Sequence, residues 1–304
     1  MRPTLRQLQY IVAVADCGRF HEAARRLHVS QPSLSTQLAE AELDLGVTIF
    51  ERGRNGATPT PVGAEIIRQS RRILTEVEEL RTLALGGKQT IAGRIRLGVL
   101  PSIGPYLLPR VTRELHTRFP DLRLSVNECD TLELDRGLRD ARFDIVISTP
   151  GDHPGLQSID LFEEKLWVCG PPEDLPLGDA GPVRLSQLSK RPFLTLGAGH
   201  RLSKLIGEIA REAGTTISAE YEGSSLDAAR QMAVMGAGYA ILPSLYALSE
   251  AKRDPDFIVR EIDHPQCCRR IGLIWRPSSP LAREFQEVAK LMQSVAERLL
   301  LEEG

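Results

Sequence analysis

The sequence predicts a mixed α/β chain in three parts: a small head of short helices, one long helix, and a large body of alternating strands and helices. Three observations carry this. Apolar residues recur at helical spacing over the first 58 residues, between sharp glycine stops. Residues 64–85 hold a single helical pattern free of proline and glycine. From about residue 92, apolar strand runs alternate with helical patterns, the rhythm of parallel sheets covered by helices.

In the head, Thr4 and Gln7 form a Thr-x-x-Gln capping pattern ahead of Leu8, Ile11, Val12 and Ala15, and Gly18 stops the helix. A second short helix carries Ala23, Ala24 and Leu27. Ser30 is a good N-cap for a third, and Pro32 is tolerated in its first turn. Leu34, Leu38, Ala41 and Leu45 give that helix one buried face, and Gly46 ends it. Two short helices so tightly joined are a helix-turn-helix signature. Val47–Phe50 reads as a strand, Arg52-Gly53-Arg54-Asn55-Gly56 as a basic turn and Thr58 as the return, which together make a wing. The head therefore spans residues 1–58.

The long helix starts at Thr60, an N-cap, with Pro61 at its first position. Val62, Ile66, Ile73, Val77, Leu80 and Ala84 form a coiled-coil-like seam, so residues 59–88 read as a linker and dimerisation helix. Gly86-Gly87-Lys88-Gln89 is its hinge. In the body, strands are expected at 94–99, 122–126, 145–147, 166–169 and 193–196, with a last strand pair at 257–259 and 271–275. Helices are expected from Pro105, at 201–213, at 225–235 and at 281–301.

Composition bounds the function. The chain has 304 residues, is 42% hydrophobic and carries a formal charge of −2, which excludes a protein that coats nucleic acid by bulk electrostatics. Residues 1–65 hold seven arginines, no lysine and seven acids, so even the head is neutral. A neutral head implies few phosphate contacts each, and useful DNA affinity only from several joined heads. No window is apolar enough to span a membrane, and no signal-peptide core follows the N-terminus, so a cytoplasmic location is expected. Cys17, Cys129, Cys169, Cys267 and Cys268 contain no Cys-x-x-Cys pair, and the six histidines show no metal spacing, so no cofactor or structural metal is expected. The histidines accompany no nucleophile motif either, so an enzyme is not expected. Gly197-Ala198-Gly199 imitates a dinucleotide fingerprint, yet its third glycine position holds Leu202.

Phe20 to Ser35, with the core His28-Val29-Ser30-Gln31-Pro32-Ser33-Leu34-Ser35, resembles the LysR-type transcriptional regulators. So do Leu45 to Arg52 and Thr60-Pro61-Val62-Gly63, all in register over residues 4–65. The resemblance implies a winged helix-turn-helix, a linker helix that dimerises, and a two-lobed, periplasmic-binding-protein-like effector domain at 92–304. Lobe I would hold about 92–163 and 269–304, and lobe II about 164–268. It also implies double-stranded DNA as a partner, a homodimer pairing into a homotetramer, RNA polymerase as a contact at the promoter, and a small-molecule effector between the lobes. Leu97 to Pro109 and Ile271 to Leu281 resemble the peroxide-sensing OxyR branch most. That branch carries a reactive cysteine in Gly-His-Cys-Leu and a resolving cysteine nine residues on. Here the segment is Gly199-His200-Arg201-Leu202, and Ala210 takes the second position. Neither side chain forms a sulfenate or a disulfide, so a peroxide disulfide switch is not expected. A redox response through other cysteines is the alternative.

By the resemblance, Gln31, Pro32, Ser33, Ser35 and Thr36 lie at DNA-contact positions of the second motif helix. Gln reads adenine, while Ser and Thr bond base edges or phosphates. Arg52 and Arg54 on the wing suit phosphate or minor-groove contact. The bland alternative is serine capping and a solvated basic turn. In open α/β sheets ligands bind at the C-terminal ends of strands. Those positions are Ser102, Thr131 and Thr149 in one lobe, and His200, Arg201, Ser203 and Ser225 in the other. Hydroxyls and helix N-termini suit an anion, and Arg201 offers a fork for a carboxylate. Against this stand helix capping for each hydroxyl and a salt bridge for Arg201.

Overall fold

Thr4 caps the first helix as its sequence spacing requires: its amide donates to Gln7 Oε1 at 2.9 Å, and its hydroxyl accepts from the Gln7 amide. The computed structural model describes residues 3–53, 56–84, 93–171, 181–197, 201–219, 225–250 and 258–303. It divides into two compact units, Met1–Gln89 with Arg139–Arg142, and Thr90–Leu138 with Phe143–Gly304.

In the first unit, α1 (Leu5–Cys17), α2 (Phe20–Arg26) and α3 (Gln31–Leu45) precede a hairpin of β1 (Phe50–Gly53) and β2 (Gly56–Pro59). Ile11, Val14, Ala23, Leu34, Leu38, Ala41, Ile49 and Phe50 make the core. Leu45 does not join it: it sits in the last turn before Gly46, which caps the helix in the left-handed region, and it is exposed. The expected strand at Val47–Phe50 starts only at Phe50. The Ile49 and Phe50 amides donate to Glu42 Oε1 at 2.7 and 3.1 Å, so a carboxylate of α3 anchors the wing's root. Gly56 is required at its φ of +126°, where a Cβ would lie 2.3 Å from the Gly18 carbonyl oxygen. Helix α4 (Pro61–Ala84) packs on α1, burying Ile67 and Ser70. Val62, Ile73 and Leu80 of the seam stay exposed. The hinge at Gly86–Gln89 lies outside the described residues.

The second unit contains β3 (Gly93–Val99), α5 (Gly104–Arg118), β4 (Leu122–Glu128), α6 (Thr131–Arg139), β5 (Ile145–Ser148) and β6 (Gln157–Gly170). Then come β7 (Val183–Arg184), β8 (Phe193–Leu194), α7 (Arg201–Glu212), α8 (Leu226–Val234), β9 (Tyr239–Pro243) and α9 (Ser244–Ser249). The chain closes with β10 (Ile258–Asp263), β11 (Cys268–Trp275) and α10 (Ala282–Glu303). Strands run in the order β4-β3-β5-β11-β6-β10-β7, with β9 pairing β6 and β8.

The sheet is mixed rather than parallel. β3 pairs β4 and β5 in parallel, as β8 does β9 and β10 does β7. β6 and β11 break the pattern. β6 is one long strand: its first half lies against β11 and its second against β9 and β10, antiparallel throughout. The chain leaves one lobe along β6 and returns along β10 and β11, so the returning strands oppose the outgoing one. The expected last pair, 257–259 with 271–275, does not form. Both strands pair with β6 instead, β10 with its second half and β11 with its first, and they follow one another through a turn closed by the Cys267 amide on the His264 carbonyl (2.9 Å). Each lobe has its own core. One gathers Leu97, Val99, Leu107, Ile145, Ile147, Leu273 and Phe285; the other Val168, Phe193, Ile206, Ile209, Ala233 and Tyr239. Tyr106 of α5 packs on both.

Candidate functional site

The head presents its candidate contacts at one end of α3. Ser30 Oγ accepts from the Ser33 amide at 3.3 Å, which fixes the first turn. Leu34, Leu38 and Ala41 turn inward, so Gln31, Pro32, Ser33 and Thr36 turn outward and are exposed, while Ser35 is half-buried. Arg52 of β1 is exposed and lays its guanidinium over the Phe20 ring, 4.7 Å from the centroid. Arg54 lies outside the described residues. Of the acids that turn α3 negative after Gln37, Glu42 is used internally on the wing.

A cleft of about 250 Å³ opens between the two lobes. It brings together Ser102 and Thr131 from one lobe and Arg201 and Ser225 from the other. The Thr131 hydroxyl is buried and has no hydrogen-bond partner among the described residues, and Asp130 caps α6 in its place, accepting from the Glu133 amide at 2.8 Å. Ser225 does cap, accepting from the Ala228 amide at the start of α8. Ser203 falls outside the lining. Its hydroxyl donates to the Leu196 and Gly197 carbonyls at 2.6 and 3.0 Å, tying α7 to the strand before it. Thr149 also falls outside, its hydroxyl buried without a partner among the described residues, ahead of the turn Pro150–Asp152. His200 lies outside the described residues.

Three polar lining residues escape sequence reasoning: Tyr106, Asp227 and Arg269. Arg269 is the deepest. It lies on β11 opposite Glu164 of β6, and both are buried. Its Nε and one Nη donate to Glu164 Oε2 at 2.8 and 2.6 Å, and the same Nη reaches Ser102 Oγ at 2.8 Å. Burial pushes the Glu164 carboxyl up, while Arg269 and the Leu245 amide oppose it. The neighbouring Arg270 points to solvent. Strand alternation separates the two, but only once the strand's phase is known.

Arg201 opens α7 and bonds Asp152 across the cleft, Nε to Oδ1 at 3.2 Å. Asp152 is nearly buried, and burial raises its carboxyl above the usual aspartate range despite Arg201. The carboxylate fork expected at Arg201 is thus already shared with a protein carboxylate. Behind two lining residues, Tyr246 donates to Asp227 Oδ1 at 2.6 Å and meets Tyr106 edge to face at 5.7 Å. Burial raises both phenols, Tyr106 to about 12. Cysteine chemistry is absent from the lining. Ala210 is buried in α7. Burial pushes the Cys267 thiol to about 12 and raises Cys268, whose Sγ donates to the Pro265 carbonyl.

Residues 5–64 match the bacterial regulatory helix-turn-helix proteins of the lysR family, and residues 88–297 match the LysR substrate binding domain. The chain is 32% identical to the DNA-binding transcriptional dual regulator OxyR of Escherichia coli K12, over 95% of each chain. Among solved structures it is similar to a single-substitution variant of full-length OxyR from Pseudomonas aeruginosa (TM-score 0.78, 33% identity, 95% and 97% of the two chains). It is also similar to CbnR complexed with its target DNA (TM-score 0.64, 26% identity, 95% and 100%). No helix among the described residues is long and apolar enough to cross a membrane.

Proposed function

Because this chain belongs to the LysR family of DNA-binding transcriptional regulators, we propose that it controls promoters in response to a small molecule held between its lobes, without a peroxide disulfide switch. The observation that carries this reading is the cleft itself. Residues from both lobes converge on it, and Arg201, paired with Asp152, stands where the OxyR branch carries its reactive cysteine.

DNA is read by Gln31, Ser33, Ser35 and Thr36 on α3, with Pro32 in apolar contact and Arg52 and Arg54 on the backbone. The exposed Val62, Ile73 and Leu80 of α4 support a homodimer through the linker helix, which pairs into a homotetramer that meets RNA polymerase at the promoter. Residues 1–58 act as the reading head, 59–88 as the linker and 92–304 as the effector domain, its lobes exchanging chain near residues 164 and 269. The protein works in the cytoplasm and catalyses no reaction. Ser102, Thr131, Arg201 and Ser225 face the effector; His200 belongs to the same segment as Arg201. Thr149 and Ser203 support the walls.

An effector moves the equilibrium only by binding one lobe arrangement better than the other. A contact to residues of both lobes supplies that difference. A gel shift on the DNA upstream of the gene and on neighbouring promoters tests the reading. The expected result is a specific complex, weakened by Gln31→Ala. Binding to none of these segments, or equal binding to random DNA, would overturn it.

A further inference from the structure

We infer that the interlobe cleft takes a small zwitterion, an α-amino acid with an apolar side chain, rather than a simple anion. This deepens the proposed function and rests on it. The charged residues of the lining are each paired: Arg201 with Asp152, Arg269 with Glu164, and Asp227 with Arg230. A simple anion gains less from a site whose charges are already paired than a ligand that brings both signs.

The distribution is more informative than the pairing. Arg269 is buried and committed to Glu164 and Ser102. Arg201 and Asp227 are different: their side chains are 44% and 67% exposed. They open α7 and α8 on the same lobe. Arg201 uses Nε on Asp152, and its Nη groups have no partner among the described residues. Asp227 uses Oδ1 for Tyr246, and its Oδ2 has no partner among the described residues. Arg201 and Asp227 therefore line the cleft from the same side, one with spare donors and one with a spare acceptor. Asp227 also places a negative charge in the first turn of α8, where an anion would otherwise bind. Apolar side chains line both walls: Leu100, Pro101 and Pro105 from one lobe, Leu196, Leu202 and Leu226 from the other. Between them sits the unpartnered, buried hydroxyl of Thr131.

A ligand that satisfies this lining has a carboxylate for Arg201, an ammonium for Asp227 and an apolar group for the leucines and prolines of both walls. At about 250 Å³ the cleft is below the range of drug-sized pockets, which suits a molecule this small. Held among residues of both lobes, such a ligand binds the closed lobes better than the open ones.

The test is calorimetric titration of the full-length protein with L-leucine, L-valine and L-methionine, each beside its deaminated acid and its decarboxylated amine. At least one amino acid is expected to bind, with both truncated analogues weaker by about tenfold or more, the size of one charge-assisted hydrogen bond. Asp227→Asn, which can still accept from Tyr246, is expected to erase the preference for the amino acid over its deaminated acid. The inference is overturned if no amino acid binds, if the acid or the amine binds as well, or if Asp227→Asn leaves the preference intact. A gel shift on the same samples separates the two levels. A specific DNA complex without amino-acid binding removes only the ligand class, whereas no DNA complex removes the regulator reading as well.

Discussion

The reading head and the interlobe cleft solve recognition in opposite ways. On α3 the candidate contacts are exposed, and their only structural duty is the first-turn cap. In the cleft the strongest charges are buried and bonded to one another before any ligand arrives. A groove of DNA is a large partner that comes to a surface, so exposed side chains on a rigid helix suffice. A small molecule must be enclosed, and enclosure requires each buried charge to have a counter-charge within the protein. Substitutions in the two regions should therefore fail differently: in the cleft through stability first, on the head through DNA binding alone.

The largest effect is expected at Arg269. Arg269→Ala leaves Glu164 buried without its partner and should cost about 3–5 kcal/mol of stability. Arg269→Met with Glu164→Gln should recover most of it. Urea denaturation of the full-length variants measures both, and an Arg269→Ala loss under about 1 kcal/mol would show that the pair is not structural. On the head, Gln31→Ala should leave the urea midpoint unchanged and remove about 1–3 kcal/mol of discrimination at one base pair. A gel shift against operators varied base by base measures this, and equal loss on every sequence would place Gln31 on the backbone instead. Arg52→Ala should weaken binding to all sequences alike and reduce the salt slope by about 1. An unchanged slope would mean that its stack on Phe20 keeps it off the DNA.

A smaller effect tests Asp152. Burial holds its folded-state carboxyl above the unfolded value of 3.8, so the folded chain binds the extra proton. Its contribution to stability is then full below the unfolded value and is lost as pH rises through the folded one. Relative to wild type, Asp152→Asn should lack that fall on the alkaline side of pH 3.8, as read by denaturation at stepped pH. The smallest effect is expected at Cys268→Ser. With burial raising its thiol and disfavouring the thiolate, DNA binding with and without peroxide should match wild type.

Much of the head is legible in the sequence because its signals are local. Thr4, Gly18, Ser30 and Gly46 mark helix ends through their own backbone chemistry, and all four do so in the structure. Leu45 misleads because apolar spacing continues into a last turn that the core does not reach. In the body the buried runs at 145–147 and 166–169 identify strands, but not the single β6 that serves both lobes. Helices α6 and α9 are not among the expected elements. The cleft is half legible. Ser102, Thr131, Arg201 and Ser225 sit at strand ends or helix starts, where topology points to ligands. Arg269 sits inside a strand, and its importance comes from Glu164, 105 residues away in sequence. Asp227 reads as an ordinary first-turn acid until Tyr246 is beside it. Long-range pairings of this kind leave no local trace.

The most direct measurement is a DNase footprint of the full-length wild type on its operator, with reductant and with peroxide, beside Arg201→Ala and Asp152→Asn. The expected result is a footprint that peroxide leaves unchanged and that opening the Arg201–Asp152 pair alters. A footprint that peroxide shifts through a reversible intramolecular disulfide, and that neither substitution changes, would contradict a charge-paired cleft as the control element.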